Sequence, residues 1–330
     1  MKKTLFFLLL LQATLHGQQA FLKQNGYSLM KTHTKQDTTE FIVTDTVLNT
    51  QKSVVLFVQG SGALPLFYAR KSKNDTLFFV PVDFKKYEKE CRFVFVKKKN
   101  TSLIDDYDKD YFTNENTSKA FLENNTLEKR AATISAVVKY LSKQKWVSDI
   151  YVVGHSEGYR VAASVAKTSK KIKKVVCMSA NPFNRCLQFR MEERIKGFQG
   201  LVNDTIVNQN IDSLHNYFWN LPQYKFGKDQ QYEAAFFKNE IAYNYNFTIF
   251  DLLKIKIPIL ITYGTADIGS LDNDLVPYFF TENKKTNLSI KTYPNLEHNY
   301  LRLDKDGNIK EKHWNDVFKD VMDWLFEKKQ

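Results

Sequence analysis

Residues 154–158 read Gly154-His155-Ser156-Glu157-Gly158, a Gly-x-Ser-x-Gly pentapeptide entered by the β-branched pair Val152 and Val153. The pattern nominates Ser156 as a nucleophile. A serine at the tip of a tight strand-to-helix turn holds a strained backbone that exposes its hydroxyl, and side chains two residues away on either side would collide. Gly154 and Gly158 remove those collisions. A serine nucleophile also needs a general base, an acid that orients the base, and N–H donors for the oxyanion, brought to one end of a sheet by different loops.

Each partner has a candidate. His298 lies in the loop after the strand-like run Leu288–Tyr293, where a base can reach the serine. His313 is the alternative, but it opens the last amphipathic segment, where a capping or surface role suits it better. His16, His33, His155 and His215 fall in positions less suited to a base. Asp267 ends the strand-to-loop passage that starts at Ile259, and Gly264 is read as the turn that brings its carboxylate back over the sheet edge. Asp272 and Asp274 are the alternatives, at the start of a helix where aspartate more often caps or complements the dipole. One oxyanion donor is expected from the amide of Glu157. The other is expected from the glycine-rich loop Gly60-Ser61-Gly62, with Ser61 as the donor and Gly62 as the alternative. That loop is no Walker phosphate cradle, because no Gly-Lys-Ser or Gly-Lys-Thr follows, and the Rossmann glycine pattern is absent.

These residues require a scaffold of alternating strands and helices. Continuous apolar runs of strand length occur at Ser53–Val58, Arg92–Val96, Asp149–Val153, Lys174–Ser179, Pro258–Tyr263 and Leu288–Tyr293, preceded by two short edge strands at Tyr27–Thr32 and Thr39–Asp45. Helical spacing appears in Asn125–Gln144, Ser156–Thr168, Asn273–Lys284 and Trp314–Lys328. The alternation predicts an α/β layer fold. It is broken between Asn181 and Ile257 by aromatic-rich helical sequence, read as a helical cap insertion at about 183–252, since a structureless loop of that length is improbable. Phe183, Phe189, Tyr217, Phe218 and Trp219 are its candidate substrate-lining residues, each equally open to a role in the cap's own core.

The N-terminus has Lys2 and Lys3, an apolar run from Leu5 to Leu15 and the small Gly17, the layout of a signal peptide over residues 1–17. The run is too short to span a bilayer, so the expectation is an exported protein, periplasmic or extracellular, without stable membrane insertion. The formal charge is +12 at pH 7, spread over short lysine clusters such as Lys97–Lys99 and Lys170–Lys174. No nucleic-acid motif accompanies it, so a solvated basic surface is favoured over nucleic-acid binding. Cys91, Cys177 and Cys186 make no disulfide framework, although Cys177 and Cys186 could pair, and no Cys-x-x-Cys or His-Glu-x-x-His spacing suggests a metal.

The chain order Ser156, Asp267, His298, with the Gly60-Ser61-Gly62 loop and the Gly-His-Ser-Glu-Gly elbow, resembles the α/β-hydrolase superfamily. Within it the chain looks most like bacterial exported serine hydrolases related to dienelactone hydrolases, acyl thioesterases and prolyl oligopeptidases. The resemblance implies an α/β-hydrolase fold with a mostly parallel eight-stranded sheet flanked by helices, no cofactor, and a covalent acyl-enzyme on Ser156. A small-molecule acyl substrate follows, a carboxylic ester foremost. Alternatives are a peptidase, amidase or thioesterase on the same triad, or a non-catalytic binding protein on a hydrolase scaffold. The chain departs from its relatives at Gln59, where histidine is usual, at Tyr159, where a second glycine often follows the elbow, and in lacking the common glycine before His298.

Overall fold

The computed structural model describes residues 17–34, 37–108, 117–225 and 227–327. Apart from Gly17, the expected signal peptide lies outside them. Eight strands form one sheet: β1 (Ser28–His33), β2 (Thr38–Val43), β3 (Lys52–Val58), β6 (Cys91–Val96), β8 (Val147–His155), β9 (Ile172–Met178), β10 (Ile259–Gly264) and β11 (Leu288–Tyr293). Their order across the sheet is β1-β2-β6-β3-β8-β9-β10-β11. β1 and β2 are antiparallel to their neighbours, and every pairing from β6 to β11 is parallel. A second, three-stranded sheet holds β4 (Phe67–Arg70), β5 (Asp75–Phe78) and β7 (Ile104–Asp106). Near the end of the chain β12 (Leu301–Leu303) and β13 (Ile309–Lys312) form a hairpin.

The continuous apolar strands are explained by cover on both faces. In β3, Val54, Leu56 and Val58 join one core with Ile134, Val137 and Val138 of α2 (Leu127–Leu141) and with Val161, Ala162 and Val165 of α3 (Glu157–Ala166). Val55 and Phe57 alternate to the other face, against Val317, Phe318, Val321 and Leu325 of α9 (Trp314–Phe326). α1 (Lys119–Asn124) precedes α2. Between β9 and β10 the chain is helical, as α4 (Arg185–Phe198), α5 (Asp204–Asn220), α6 (Gln231–Asn244) and α7 (Thr248–Leu252). The segment after β10 is a 3-10 turn, Ile268–Leu275, before α8 (Val276–Glu282). Among the described residues no helix is long and apolar enough to cross a membrane.

Two loops at the carboxyl end of the sheet are sewn together after β10 and β11. Thr265 N–H donates to Tyr293 O at 2.9 Å, Ala266 N–H to Leu296 O at 3.0 Å, and Asn295 N–H to Thr265 Oγ1 at 2.9 Å. Gly264 makes this possible by close approach rather than by an unusual dihedral, since a Cβ there would sit on the Leu296 carbonyl. Gly264→Ala is therefore expected to cost about 1–3 kcal/mol, the usual penalty of overpacking, read as a lower urea midpoint. Gly227, which has φ −68° and open space around it, is the control, and Gly227→Ala is expected to leave the midpoint unchanged or slightly raised.

Candidate active site

β8 delivers its last residues into a turn so tight that α3 begins one residue after the serine. Ser156 has φ 57° and ψ −126°, a left-handed conformation that costs an L-residue about 1–3 kcal/mol and persists only where the surroundings enforce it. Here its N–H donates to Met178 O of β9 at 2.9 Å, and its carbonyl accepts from Tyr159 N–H at 2.9 Å. A Cβ at Gly154 would overlap the Gly158 carbonyl, and one at Gly158 would overlap the Val58 carbonyl of β3. Strand, turn and helix are therefore in direct backbone contact, which leaves the Ser156 side chain as the group that projects.

The loops after β10 and β11 bring two side chains to it. His298 Nε2 lies 2.9 Å from Ser156 Oγ, and His298 Nδ1 lies 2.9 Å from Asp267 Oδ2. With Nδ1 protonated and donating to Asp267, Nε2 is left as the acceptor facing the serine hydroxyl. Ser270 Oγ also donates to Asp267 Oδ2, at 2.5 Å. Of the alternatives, Asp272 accepts from Asn181 Nδ2 at 2.7 Å and Asp274 from the Tyr263 hydroxyl. His313 precedes α9 and binds Glu311 and Asp316 at its two ring nitrogens, 2.9 Å each.

Ser156 and His298 open onto a cleft of about 460 Å³ with Gly60 and Ser61 at its edge. Its apolar walls are Phe57, Leu64, Phe79, Val80 and Pro81, and then Leu301 and Ile309 of the β12–β13 hairpin with Trp314. Lys312 is its charged lining residue. None of the five expected aromatics lines this cleft. Phe183 packs edge-on against Phe279 with ring centroids 5.6 Å apart, and Phe218 stacks on Tyr245 at 4.7 Å. Phe189 and Tyr217 border a separate cavity of about 500 Å³ between α4 and α5, and Trp219 is 77% exposed. Phe183 and Phe218 are thus used in packing, Phe189 and Tyr217 face the α4–α5 cavity, and Trp219 faces solvent.

No family model matches the chain, and no curated protein matches it in sequence. Solved structures do match in fold. An acylaminoacyl peptidase of Pyrococcus horikoshii superposes on 92% of this chain with a TM-score of 0.54 at 12% identity. This chain spans 43% of that peptidase's length. A putative dienelactone hydrolase from Klebsiella pneumoniae matches 92% of this chain and 100% of its own, with a TM-score of 0.53 at 9% identity. Est1E of Butyrivibrio proteoclasticus, with ferulic acid bound, matches 90% and 97% with a TM-score of 0.50 at 18% identity. This is the α/β-hydrolase fold.

In this α/β-hydrolase fold the supports of the three residues had weak signals in sequence. His155, set aside as a base, donates from Nε2 to the His298 carbonyl at 3.0 Å and packs against Trp314. Glu297 Oε1 accepts from the N–H groups of Asn299 and Leu301, at 2.7 and 3.0 Å, which shapes the His298 loop without a glycine before it. Tyr159 is fully buried and donates to Asn273 Oδ1 at 2.9 Å, tying α3 to the turn that follows Asp267. Gln59 Nε2 donates to Pro65 O at 3.2 Å and so steadies the loop. Lys98, read as part of a solvated lysine run, is buried. Cys91, Cys177 and Cys186 are free and buried.

Burial disfavours a charged His298, but the hydrogen bond and charge of Asp267, helped by Glu297 and Glu192, hold its pKa above the ordinary value. His155 is pushed down to about 3 by burial and by His298, so it stays neutral. A raised pKa keeps His298 protonated to higher pH than a free imidazole. In an NMR titration its ring, assigned by loss in His298→Gln, is expected to have a midpoint above ~6.5. Asp267→Asn is expected to move that midpoint down, and an unmoved midpoint would dissociate the carboxylate from the shift.

Proposed function

We propose that this protein is a serine hydrolase that cleaves a carboxylic ester through an acyl-enzyme on Ser156. The observation that carries the reading is the unbroken chain Asp267–His298–Ser156, two contacts of 2.9 Å that converge on a strained serine at the edge of a cleft. In the proposed reaction His298 Nε2 takes the Ser156 proton as Oγ attacks the acyl carbon, then returns it to the leaving alcohol. Water, activated by the same imidazole, hydrolyses the ester formed on Ser156. Asp267 fixes the tautomer and stabilises the imidazolium. The oxyanion is assigned to the amides of Ser61 and Glu157. Glu157 is the first residue of α3, so its N–H has no partner within the helix, and Ser61 lines the cleft.

The cleft supports the substrate class. Its walls are apolar and aromatic, which suits an acyl chain or aryl group. Export to the periplasm or beyond remains part of this proposal, on the N-terminal pattern alone.

A fluorophosphonate probe is expected to label the wild type and to leave folded Ser156→Ala unlabelled; an unlabelled wild type, folded, would refute the proposal. On a panel of p-nitrophenyl esters of graded chain length, Phe79→Ala is expected to raise KM by about 10-fold or more for the longer acyl chains, the scale of about 1–3 kcal/mol of lost apolar contact. Tyr217→Ala is expected to leave KM unchanged. The reverse ranking would move the acyl site from the cleft to the α4–α5 cavity.

A further inference from the structure

Lys97 and Lys99 flank a residue of opposite fate. Lys97 pairs with Glu40 at 3.2 Å and Lys99 with Asp37, both near the surface, while Lys98 turns inward and is only 7% exposed. Its Nζ donates to three consecutive carbonyls of the loop beside the serine: Gly60 O at 2.5 Å, Ser61 O at 3.1 Å and Gly62 O at 2.6 Å. Arg130 completes the row, with Nη2 donating to Gln59 O at 2.6 Å and Nη1 to Gly60 O at 3.3 Å. All four carbonyls from Gln59 to Gly62 therefore face buried cations.

A trans peptide is planar, so a carbonyl and the N–H of the next residue point in opposite directions. Holding the Gly60 and Ser61 carbonyls on the buried side therefore turns the Ser61 and Gly62 N–H groups away from it. Gly60 and Ser61 line the cleft that holds Ser156, and a Cβ on Gly60 would come within 3.0 Å of Ser156 Cβ. Lys98 lines a separate small void beneath the loop, with Arg130 and Gln59. Cation and cleft thus lie on opposite sides of one short stretch of backbone.

We propose that Lys98 is a positioning residue for the oxyanion: with Arg130, it clamps the Gln59–Gly62 carbonyls and so aims the Ser61 amide at the carbonyl oxygen of an acyl group on Ser156. The proposal rests on the reading of Ser156 as the nucleophile. Three acceptors around one nitrogen require three donors, which only the ammonium form of lysine supplies, since a neutral amine would turn its lone pair on a carbonyl. Burial and the charge of Arg130 draw the Lys98 pKa well down, and Glu157 opposes them. A purely apolar loop support would not need so costly a group. A glycine-rich segment has little side-chain packing of its own to fix its peptide planes, and the clamp supplies what it lacks.

The test compares p-nitrophenyl butyrate with its thionoester, in which sulfur replaces only the carbonyl oxygen. Sulfur is larger and a poor acceptor, so the thionoester gains little from aligned N–H groups. In the full chain, Lys98→Met is expected to lose about 10²-fold in kcat on the ester, the scale of one lost oxyanion donor. KM is expected to change little, and the loss on the thionoester is expected to be much smaller. An equal loss on both substrates would mean a general structural role and would overturn the proposal, as would no loss on either. Lys98→Gln keeps amide donors but neither the charge nor the full donor count. It is expected to show the same ester-selective loss and carries the comparison alone if Lys98→Met does not fold. Ser156→Ala, run beside them, is expected to turn over neither substrate. Retained turnover there would overturn the nucleophile itself, a result distinct from any pattern in the Lys98 variants.

Discussion

The side chain of Glu157 is the point from which the site hangs. Its two oxygens are shared between Arg130 of α2 at 2.6 Å and Arg185 of α4 at 3.0 Å, and Arg185 reaches on to Glu240 of α6 at 2.5 Å. Arg130 also holds the carbonyls of Gln59 and Gly60. One buried carboxylate, next in sequence to Ser156, thus joins the elbow, the glycine loop, the core helix α2 and the helices between β9 and β10. Burial alone would raise its pKa, but Arg130, Arg185 and Lys98 outweigh burial and keep it ionised. Removing one partner of such a buried pair costs about 3–5 kcal/mol, because the other charge is left uncompensated. The glutamate inside the pentapeptide is therefore as much a structural requirement as the glycines around it.

A similar economy explains Tyr159. A glycine at this position would let α3 approach its neighbours, whereas a tyrosine must be accommodated, and here it is accommodated by a polar tether. Its hydroxyl donates to Asn273, whose Nδ2 in turn donates to the carbonyls of Ala180 and Ser270. Ser270 Oγ meets Asp267. The helix that starts after Ser156 and the turn that follows Asp267 are linked through two side chains, while Gly264 and the Leu296 carbonyl link that turn to the His298 loop. Each of the three residues sits on a different loop, yet none of the loops is independent.

What was legible in the sequence follows from what burial imposes. Strands covered on both faces must be apolar throughout, so β3, β6, β8, β9 and β10 announce themselves, and residues at their carboxyl ends can be ordered by chemistry before any geometry is known. The β12–β13 hairpin was illegible for the opposite reason. Its second strand, Ile309–Lys312, is exposed along its whole length, and such a strand carries no apolar periodicity. It nevertheless forms one wall of the cleft beside Ser156, whereas the aromatics that the sequence displays lie in the helical segment. Those rings have real amphipathic spacing, but spacing cannot distinguish a side chain that covers a ligand from one that covers the next helix. Lys98 was hidden by composition: in a run of three lysines, solvent exposure is the natural inference for each, and only the strand-like alternation beyond β6 turns the middle one inward.

The charges around Ser156 are distributed along the direction in which the proposed reaction separates charge. Lys98 and Arg130 hold the glycine loop from its buried side, and Arg185 and the buried Arg160 lie close to Glu157, against the carboxylates of Glu157 and Glu240. The excess is positive, and it is felt: burial first, and then Arg185, draw the Arg160 pKa down to about 10. Behind His298 the balance is reversed, with Asp267 in contact and Glu297 and Glu192 at longer range. Attack by Ser156 creates negative charge on the acyl oxygen and positive charge on the imidazole. A cationic bed on one side and a carboxylate on the other favour both products of that step, and because the groups are already buried and hydrogen-bonded they need no reorganisation when the charge appears. The fold invests its most expensive side chains, the buried ions, on the two sides of one hydroxyl, which is the physical reason to read this serine as the centre of the molecule's chemistry.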